Sequence, residues 1–179
     1  IASGGQVVKN AAGFLLHHAL AGSAGRLGVI AETSFKVFPR PEATCTLVAR
    51  ASSRGEALAA HERLRLANLD LDALDLDVTG ATVLARLAGA ADVLPARAER
   101  AVQALDLPAD LRSGHDEAAA WATAARFSAG PDEVVVKVPS TPSRLAALLD
   151  ALTPFGACRA SVGGAVIYLT SARDVDDIE

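Results

Sequence analysis

The sequence predicts an α+β protein whose larger part consists of two βαββ units that form one largely antiparallel sheet. Three observations support this fold class: strand-like segments, a Ser-rich helix start after the first strand of each unit, and a Gly turn before the last strand. The order strand, helix, strand, Gly turn, strand occurs twice along the chain. Elements in this order are expected to place the helices on one face of the sheet.

The first unit is predicted between the prolines near residue 40 and a helix at 93–105. Ser52 and Ser53 are good helix caps because a serine oxygen accepts a hydrogen bond from an unpaired backbone N–H. The predicted elements are a strand at 44–51, a helix at 56–67, and strands at 73–78 and 81–87 around the turn Thr79-Gly80.

The second unit repeats this order in the last third of the chain. Thr141 is predicted to cap a helix whose first position is Pro142, a residue that suits that position. Between the units, a helix at 115–127 carries Trp121, which is expected to anchor the core. The predicted elements of the unit are a strand at 133–138, a helix at 144–152, and strands at 157–161 and 165–170 around Gly163-Gly164.

The N-terminal 41 residues have a different character. A strand at 6–9 and a helix at 11–21 are followed by a glycine-rich loop at 22–28. Residues 29–38 then alternate in polarity, which predicts a long strand with a period of two. Pro39-Arg40-Pro41 ends that strand and forms a stiff linker. The predicted domains are therefore 1–41 and 42–179.

Composition limits the classes of function. The 179 residues are 51% hydrophobic and 4% aromatic, with a net charge of -4. There is no Lys/Arg-rich run, so no nucleic-acid partner is predicted. No segment has the roughly 18 apolar residues of a membrane span. Cys45 and Cys158 make no disulfide framework, which favours reduced thiols and a cytoplasmic location, with membrane association only through partners.

No metal site and no catalytic residue is predicted. His61 and His115 are isolated and expected at the surface. Aspartates alternate with leucines at residues 70–77, which fits a strand with one hydrated face and lacks the glycine and final glutamate of a calcium loop. The absence of Met and the start at Ile1 suggest a fragment or processed chain.

The glycine-rich loop is the chemically informative feature. Glycines let backbone N–H groups approach a phosphate or a flat ring. The loop follows a helix and opens a strand, whereas a dinucleotide-binding loop follows a strand and opens a helix. It also lacks the G-K-[ST] ending of a phosphate-binding Walker loop. Taken alone, the loop is equally compatible with a simple turn.

Three linked motifs decide between these alternatives. The segment V-V-K-N-A-A-G-F at 7–14 is followed by G-S-A-G-R-L-G-V-I at 22–30 and K-V-F-P-R-P at 36–41. Together they resemble the second half of the FAD-binding domain in vanillyl-alcohol-oxidase-type FAD-linked oxidoreductases, a domain also called PCMH-type. The rest of the chain resembles the ferredoxin-like cap domain of such proteins in length and order, with weak sequence similarity.

The resemblance implies a cofactor and its contacts. Its cofactor is FAD, and the strand after the loop runs beside it. The implied cofactor-binding residues are Lys9, Asn10, Gly13, Gly22, Ser23, Gly25, Gly28, Val29 and Ile30. Leu15 and Arg26 depart from the usual pattern, which has an acidic residue and often threonine at these positions. The family's pyrophosphate-gripping subdomain has no counterpart in the 179 residues, so this chain alone is expected to bind FAD weakly and to be inactive.

The resemblance also implies a reaction and partners. It predicts an FAD-binding subunit, or a fragment of one, in a glycolate oxidase-like complex that oxidises a small 2-hydroxy acid. The expected partners are a second flavin subunit and an iron–sulfur subunit. Whether this subunit itself carries out the oxidation stays open. The alternative is a non-enzymatic ligand-binding or partner-docking module of ferredoxin-like fold, which explains 43–170 but leaves the three motifs unexplained.

Overall fold

The computed structural model describes residues 16–125, 129–130 and 132–172. The chain divides into two compact units, Ile1–Pro39 and Arg40–Glu179. The described part of the first unit contains one short helix, α1 (Leu16–Leu20). The predicted strand at 6–9 and the start of the predicted helix at 11–21 lie outside the described residues.

The second unit contains all of the described strands and the four longer helices. The strands are β1 (Ala43–Arg50), β2 (Ala73–Asp77), β3 (Thr82–Gly89), β4 (Ala109–Arg112), β5 (Glu133–Pro139), β6 (Cys158–Ser161) and β7 (Val166–Ala172). The helices are α2 (Arg54–Leu66), α3 (Leu94–Leu105), α4 (Gly114–Ala125) and α5 (Leu145–Leu152).

The seven described strands form a single sheet in the order β4-β1-β3-β2-β6-β7-β5. Every neighbouring pair is antiparallel. The strands β1, β3 and β2 of the first βαββ unit mirror β5, β7 and β6 of the second, and the two units meet where β2 pairs with β6. The predicted α+β class with an antiparallel sheet is confirmed.

Alternating residues of the strands place the apolar side chains on one face. Leu47 pairs with Ala85, and Ala85 pairs with Leu74, so the three lie in one row across β1, β3 and β2. These residues belong to one buried cluster to which three helices contribute: Ala57, Ala60 and Leu64 of α2, Ala98, Ala101 and Leu105 of α3, and Leu145 and Leu149 of α5. The helices of both repeats therefore lie on the same face, as predicted.

The helix starts of the two repeats differ. The Ser53 side chain accepts a hydrogen bond from the Glu56 N–H at 3.2 Å, and the Glu56 carboxylate accepts one from the Ser52 N–H at 2.7 Å. This reciprocal pattern starts α2 as predicted. Thr141 makes no such bond, and residues 142–144 form a 3-10 turn before α5. The prediction of Thr141 as a capping side chain is wrong.

Helix α4 packs on the other face of the sheet through polar groups. Its one buried residue is Glu117. The Glu117 carboxylate accepts hydrogen bonds from Thr44 Oγ1 at 2.6 Å and Thr46 Oγ1 at 2.9 Å. Trp121 Nε1 donates to Thr46 Oγ1 at 2.8 Å. Trp121 is therefore half-buried on the polar face and is not part of the apolar core, contrary to the prediction.

Three buried residues on the helix-bearing side of the sheet bear on the sequence-based expectations. His61, predicted at the surface, is 1% exposed on α2, and neither ring nitrogen has a hydrogen-bond partner among the described residues. The surface prediction is wrong because His61 and Leu64 lie on one face of α2, the face that the sheet covers. Cys45 is a free, buried thiol, as is Cys158, and burial raises the pKa of each.

Strand β4 and the lengths of the helices complete the description of the fold. Strand β4 was not predicted; it pairs with β1 from Ala49↔Ala109 to Thr46↔Arg112. None of the helices in residues 16–125 and 132–172 combines the length and apolar character that a bilayer crossing needs.

Replacing the buried carboxylate of α4 should destabilise the protein. We expect Glu117→Leu to lower the free energy of unfolding by about 3 kcal/mol, because Thr44, Thr46 and Arg86 lose a charged partner in a buried place. Urea denaturation followed by circular dichroism measures the change. The matched control is Asp116→Asn, whose side chain is 84% exposed and should change stability by less than about 0.5 kcal/mol. Equal effects of the two changes would show that the Glu117 network does not hold α4.

The protein should lose stability in mild acid because of His61. Burial lowers the pKa of His61 to about 4, against 6.5 in the unfolded chain. Below pH 6.5 the unfolded chain binds a proton that the folded protein resists, so stability falls between pH 6.5 and 4. The full shift is worth about 3 kcal/mol.

Urea denaturation of His61→Leu across this pH range isolates the effect. The substitution should flatten the pH dependence by about 3 kcal/mol. A pH profile that is the same for His61→Leu and the unaltered protein would contradict the burial of a neutral imidazole.

Candidate functional site

The glycine-rich loop of the first unit follows α1 directly. The Ala21 N–H bonds to His17 O at 3.0 Å and continues the helix for one residue. Ser23 N then bonds to Leu20 O at 3.2 Å, and Arg26 N bonds to Ser23 O at 3.0 Å. The loop is therefore two successive tight turns that reverse the chain beyond the helix.

This path uses left-handed backbone at three positions. Gly22 has φ 79°, Ala24 φ 50° and Gly25 φ 80°. Glycine adopts such angles without steric penalty, whereas a side chain makes them costly. A Cβ built at Gly22 or Gly25 meets no described atom within 4 Å. The glycines are therefore required by the backbone angles, and the space beside them is open.

The loop forms one wall of a shallow groove with a volume of about 490 Å³. Within the described ranges, the backbone amides of Gly22, Ala24 and Gly25 have no backbone acceptor, and Arg26 is among the residues that line the groove. Its lining residues are Ala19, Ala21, Gly22, Ser23, Ala24, Arg26 and Leu27. Free amide donors beside a cation provide suitable partners for phosphate oxygens or for the polar edge of a ring.

The segment after the loop does not form the predicted strand. Residues 28–41 form neither a strand nor a helix. Val29 is 92% exposed and Ile30 54%, and Phe35, Val37 and Phe38 are also exposed. Alternation alone does not make a strand, because a strand also needs a neighbour for its backbone N–H and C=O groups. No described segment pairs with these residues.

The predicted cofactor residues therefore fall into three groups according to where they lie. Gly22 and Ser23 line the groove, and Gly25 sets the turn beside it. Gly28, Val29 and Ile30 follow the loop in the exposed segment. Lys9, Asn10 and Gly13 lie outside the described residues.

The second unit has a groove of its own, which was not predicted. Its volume is about 620 Å³, and Arg86 is one of its lining residues. Arg86 Nε is 2.9 Å from Glu117 Oε1, outside the angle of a good hydrogen bond, so the contact is an ion pair. The lining residues are Arg40, Pro41, Glu42, Ala43, Thr44, Asp72 and Arg86. Two carboxylates balance the two guanidiniums, so the groove has no net attraction for an ion of either sign.

A buried ion pair lies elsewhere on the same polar face of the sheet. Arg159 Nη2 donates to Asp75 Oδ2, and Ser161 Oγ donates to the same oxygen at 3.0 Å. Asp75 is 7% exposed and Arg159 8%. The prediction of a hydrated aspartate face is therefore wrong for Asp75, which is neutralised by a residue from the second repeat. Among the described residues, no group of three or more His, Cys, Asp or Glu could hold a metal ion.

The chain was compared with protein-family models and with individual known proteins. No protein-family model matches the chain. Over 44 residues the chain is 52% identical to the glycolate oxidase subunit GlcE of Escherichia coli. That segment is 25% of this chain and 13% of the E. coli protein. The chain is thus similar to a glycolate oxidase subunit over a short segment that covers about one eighth of that subunit's length.

Proposed function

We propose that this chain belongs to the FAD-binding subunit of a glycolate oxidase-like complex that oxidises a small 2-hydroxy acid. The observation that carries the proposal is the 52% identity to a glycolate oxidase subunit over 44 residues. The three motifs between residues 7 and 41 support it, since they resemble FAD-binding segments. Nothing in the comparisons favours a non-enzymatic ligand-binding or docking module.

The loop suits one part of a flavin site. Its unpaired amides at Gly22, Ala24 and Gly25 can donate to anionic or carbonyl oxygens, and Arg26 adds a positive charge. When bound, FAD would accept the hydride from the hydroxy acid and pass the electrons on. The chain's own contribution is to bind and orient the cofactor. In this proposal Lys9, Asn10 and Gly13, together with Gly28, Val29 and Ile30, complete the contact surface.

The second unit would be the cap, with a ferredoxin-like arrangement of its two repeats. Partner subunits, including a second flavin subunit and an iron–sulfur subunit, would receive the electrons. The two free thiols are consistent with a reducing, cytoplasmic setting.

Affinity for FAD should be modest in the 179-residue chain. The groove beside the loop is shallow, and small ligands bind tightly when most of their surface is enclosed. We expect a dissociation constant no better than about 1 μM. Quenching of flavin fluorescence during titration with the protein measures it, and stoichiometric FAD retained through gel filtration would contradict the expectation.

Changing one loop glycine should weaken that binding further. Gly25→Val places a side chain at φ 80° beside the amide donors and should lower FAD affinity at least about tenfold. The matched control is Gly163→Val in the second unit, where φ is 62° and the space is equally open. The control imposes similar backbone strain and should leave FAD affinity unchanged. Equal affinities for both variants and the unaltered chain would show that the loop is only a turn.

A further inference from the structure

Strand β5 forms one edge of the seven-stranded sheet, and no described strand lies on its outer side. An edge strand presents a row of backbone N–H and C=O groups that can pair with another strand. The opposite edge is the four-residue strand β4, whereas β5 has seven residues. Strand β5 is therefore the longer of the two open edges.

The pairing of β5 with β7 shows which backbone groups point outward. The Ser140 N–H bonds to Ala165 O at 2.8 Å, and these two residues continue the register of the β5–β7 ladder. Hydrogen-bonded and non-hydrogen-bonded pairs alternate along an antiparallel ladder. The backbone groups of residues 134, 136 and 138 therefore point to β7, while those of residues 133, 135, 137 and 139 point to the open side.

Two free donors remain on this open side, the N–H groups of Val135 and Lys137. The Glu133 N–H bonds to Gly130 O at 3.2 Å, and Pro139 has no N–H. The outward carbonyls of Glu133, Val135 and Lys137 have no backbone donor within the described ranges. The groups available to an added strand therefore lie between residues 133 and 137.

The side chains along this edge carry one charge of each sign. Val136 and Val138 pack against the apolar cluster, so Glu133, Val135 and Lys137 project from the other face of the strand. Val135 is 43% exposed. Glu133 and Lys137 are about 13 Å apart along the strand, too far to pair with each other. The edge thus has a carboxylate at one end, an ammonium at the other and an exposed valine midway.

We propose that β5 pairs antiparallel with β5 of a second copy of this chain, with Val135 facing Val135 of the second copy at a two-fold axis. Such an interface is self-complementary, because each contact occurs twice. Glu133 of each copy lies opposite Lys137 of the other. The interface lies wholly within the second unit and involves neither flavin nor hydroxy acid, so it goes beyond the proposed function.

This arrangement uses the free backbone groups and continues both faces of the sheet. The Val135 N–H of each copy donates to Val135 O of the other, and the Lys137 N–H donates to Glu133 O of the other. The bond from the Glu133 N–H to Gly130 O is kept. On the helix-bearing face, Val134 of each copy meets Val136 of the other, so the apolar surface continues across the axis.

The charges select both the occupant and the register. A lysine on an edge strand discourages the addition of other strands, unless the added strand brings a carboxylate opposite it. A strand that meets both charges of β5 needs a carboxylate and a cation four residues apart, which β5 itself provides. A shift of two residues in either direction sets each charged residue opposite a valine or a proline. Both ion pairs would then be lost.

Sedimentation equilibrium of the 179-residue chain, from about 1 to about 500 μM, measures the association. We expect a monomer–dimer equilibrium with a dissociation constant of about 10 to 100 μM, because four backbone bonds and two exposed ion pairs make a small interface. A chain that stays monomeric up to about 500 μM would overturn the proposal.

Two charge variants test the register. Glu133→Lys and Lys137→Glu each set like charges opposite one another at both ends of the interface, so each variant alone should dimerise at least about tenfold more weakly. In an equimolar mixture, one copy carries two cations and the other two carboxylates at these positions. The mixture should therefore associate about as tightly as the unaltered chain. Variants that dimerise normally alone, or a mixture no tighter than its components, would overturn the proposed register.

A pair of proline variants tests the edge. Val135→Pro removes an outward N–H and no bond to β7, so the variant should fold, as checked by circular dichroism, and should not dimerise. The matched control is Leu111→Pro on β4, where the alternation of the β1 ladders also points the N–H to the open side. The control should dimerise like the unaltered chain. Association that survives Val135→Pro, or that is lost equally in both variants, would overturn the assignment to β5, and the charge variants decide the matter if Val135→Pro does not fold.

Discussion

The pairing of β2 with β6, called the seam below, is the contact that holds the sheet of the Arg40–Glu179 unit together. Only Leu76↔Ala160 and Asp77↔Arg159 are in register there, and the Val78 N–H adds a bond to Cys158 O at 3.1 Å. These few contacts join the two βαββ units, with β4 added beside β1, into one seven-stranded sheet. The first repeat together with β4 supplies four of these strands and the second repeat supplies three, and one buried cluster extends across both.

The seam also separates two kinds of side chain: apolar residues lie on one face of the sheet and charged residues on the other. On one face Leu76 and Ala160 continue the apolar cluster from β1 to β7, beneath α2, α3 and α5. On the other face the same register brings Asp75 of the first repeat to Arg159 of the second. A buried ion pair adds little net stability, but it penalises any register that separates its charges. The Asp75–Arg159 pair therefore specifies the register of β2 against β6, while the apolar cluster stabilises the pairing.

Much of this architecture could be predicted from local sequence signals. The order of elements, the Ser53 cap and the turn at Gly80 depend on residues close in sequence, so they can be recognised from the sequence alone. The burial of His61, the half-buried position of Trp121 and the Asp75–Arg159 pair depend on contacts across 70 or more residues, or on which helix face meets the sheet. Strand β4 has four residues, too few to show a period. The segment at 28–41 shows the opposite case. Its residues alternate in polarity from 29 to 38, but no described segment pairs with them, and they form no strand.

The direct test of the seam is amide hydrogen exchange at Val78, whose N–H crosses from the first repeat to the second. If the seven strands are one cooperative sheet, the Val78 amide should exchange about as slowly as the paired amides at the centre of β1 and β3, through global unfolding. The account would be contradicted if Val78 exchanged as rapidly as an exposed loop amide while β1 and β3 stayed protected, because the two repeats would then open independently.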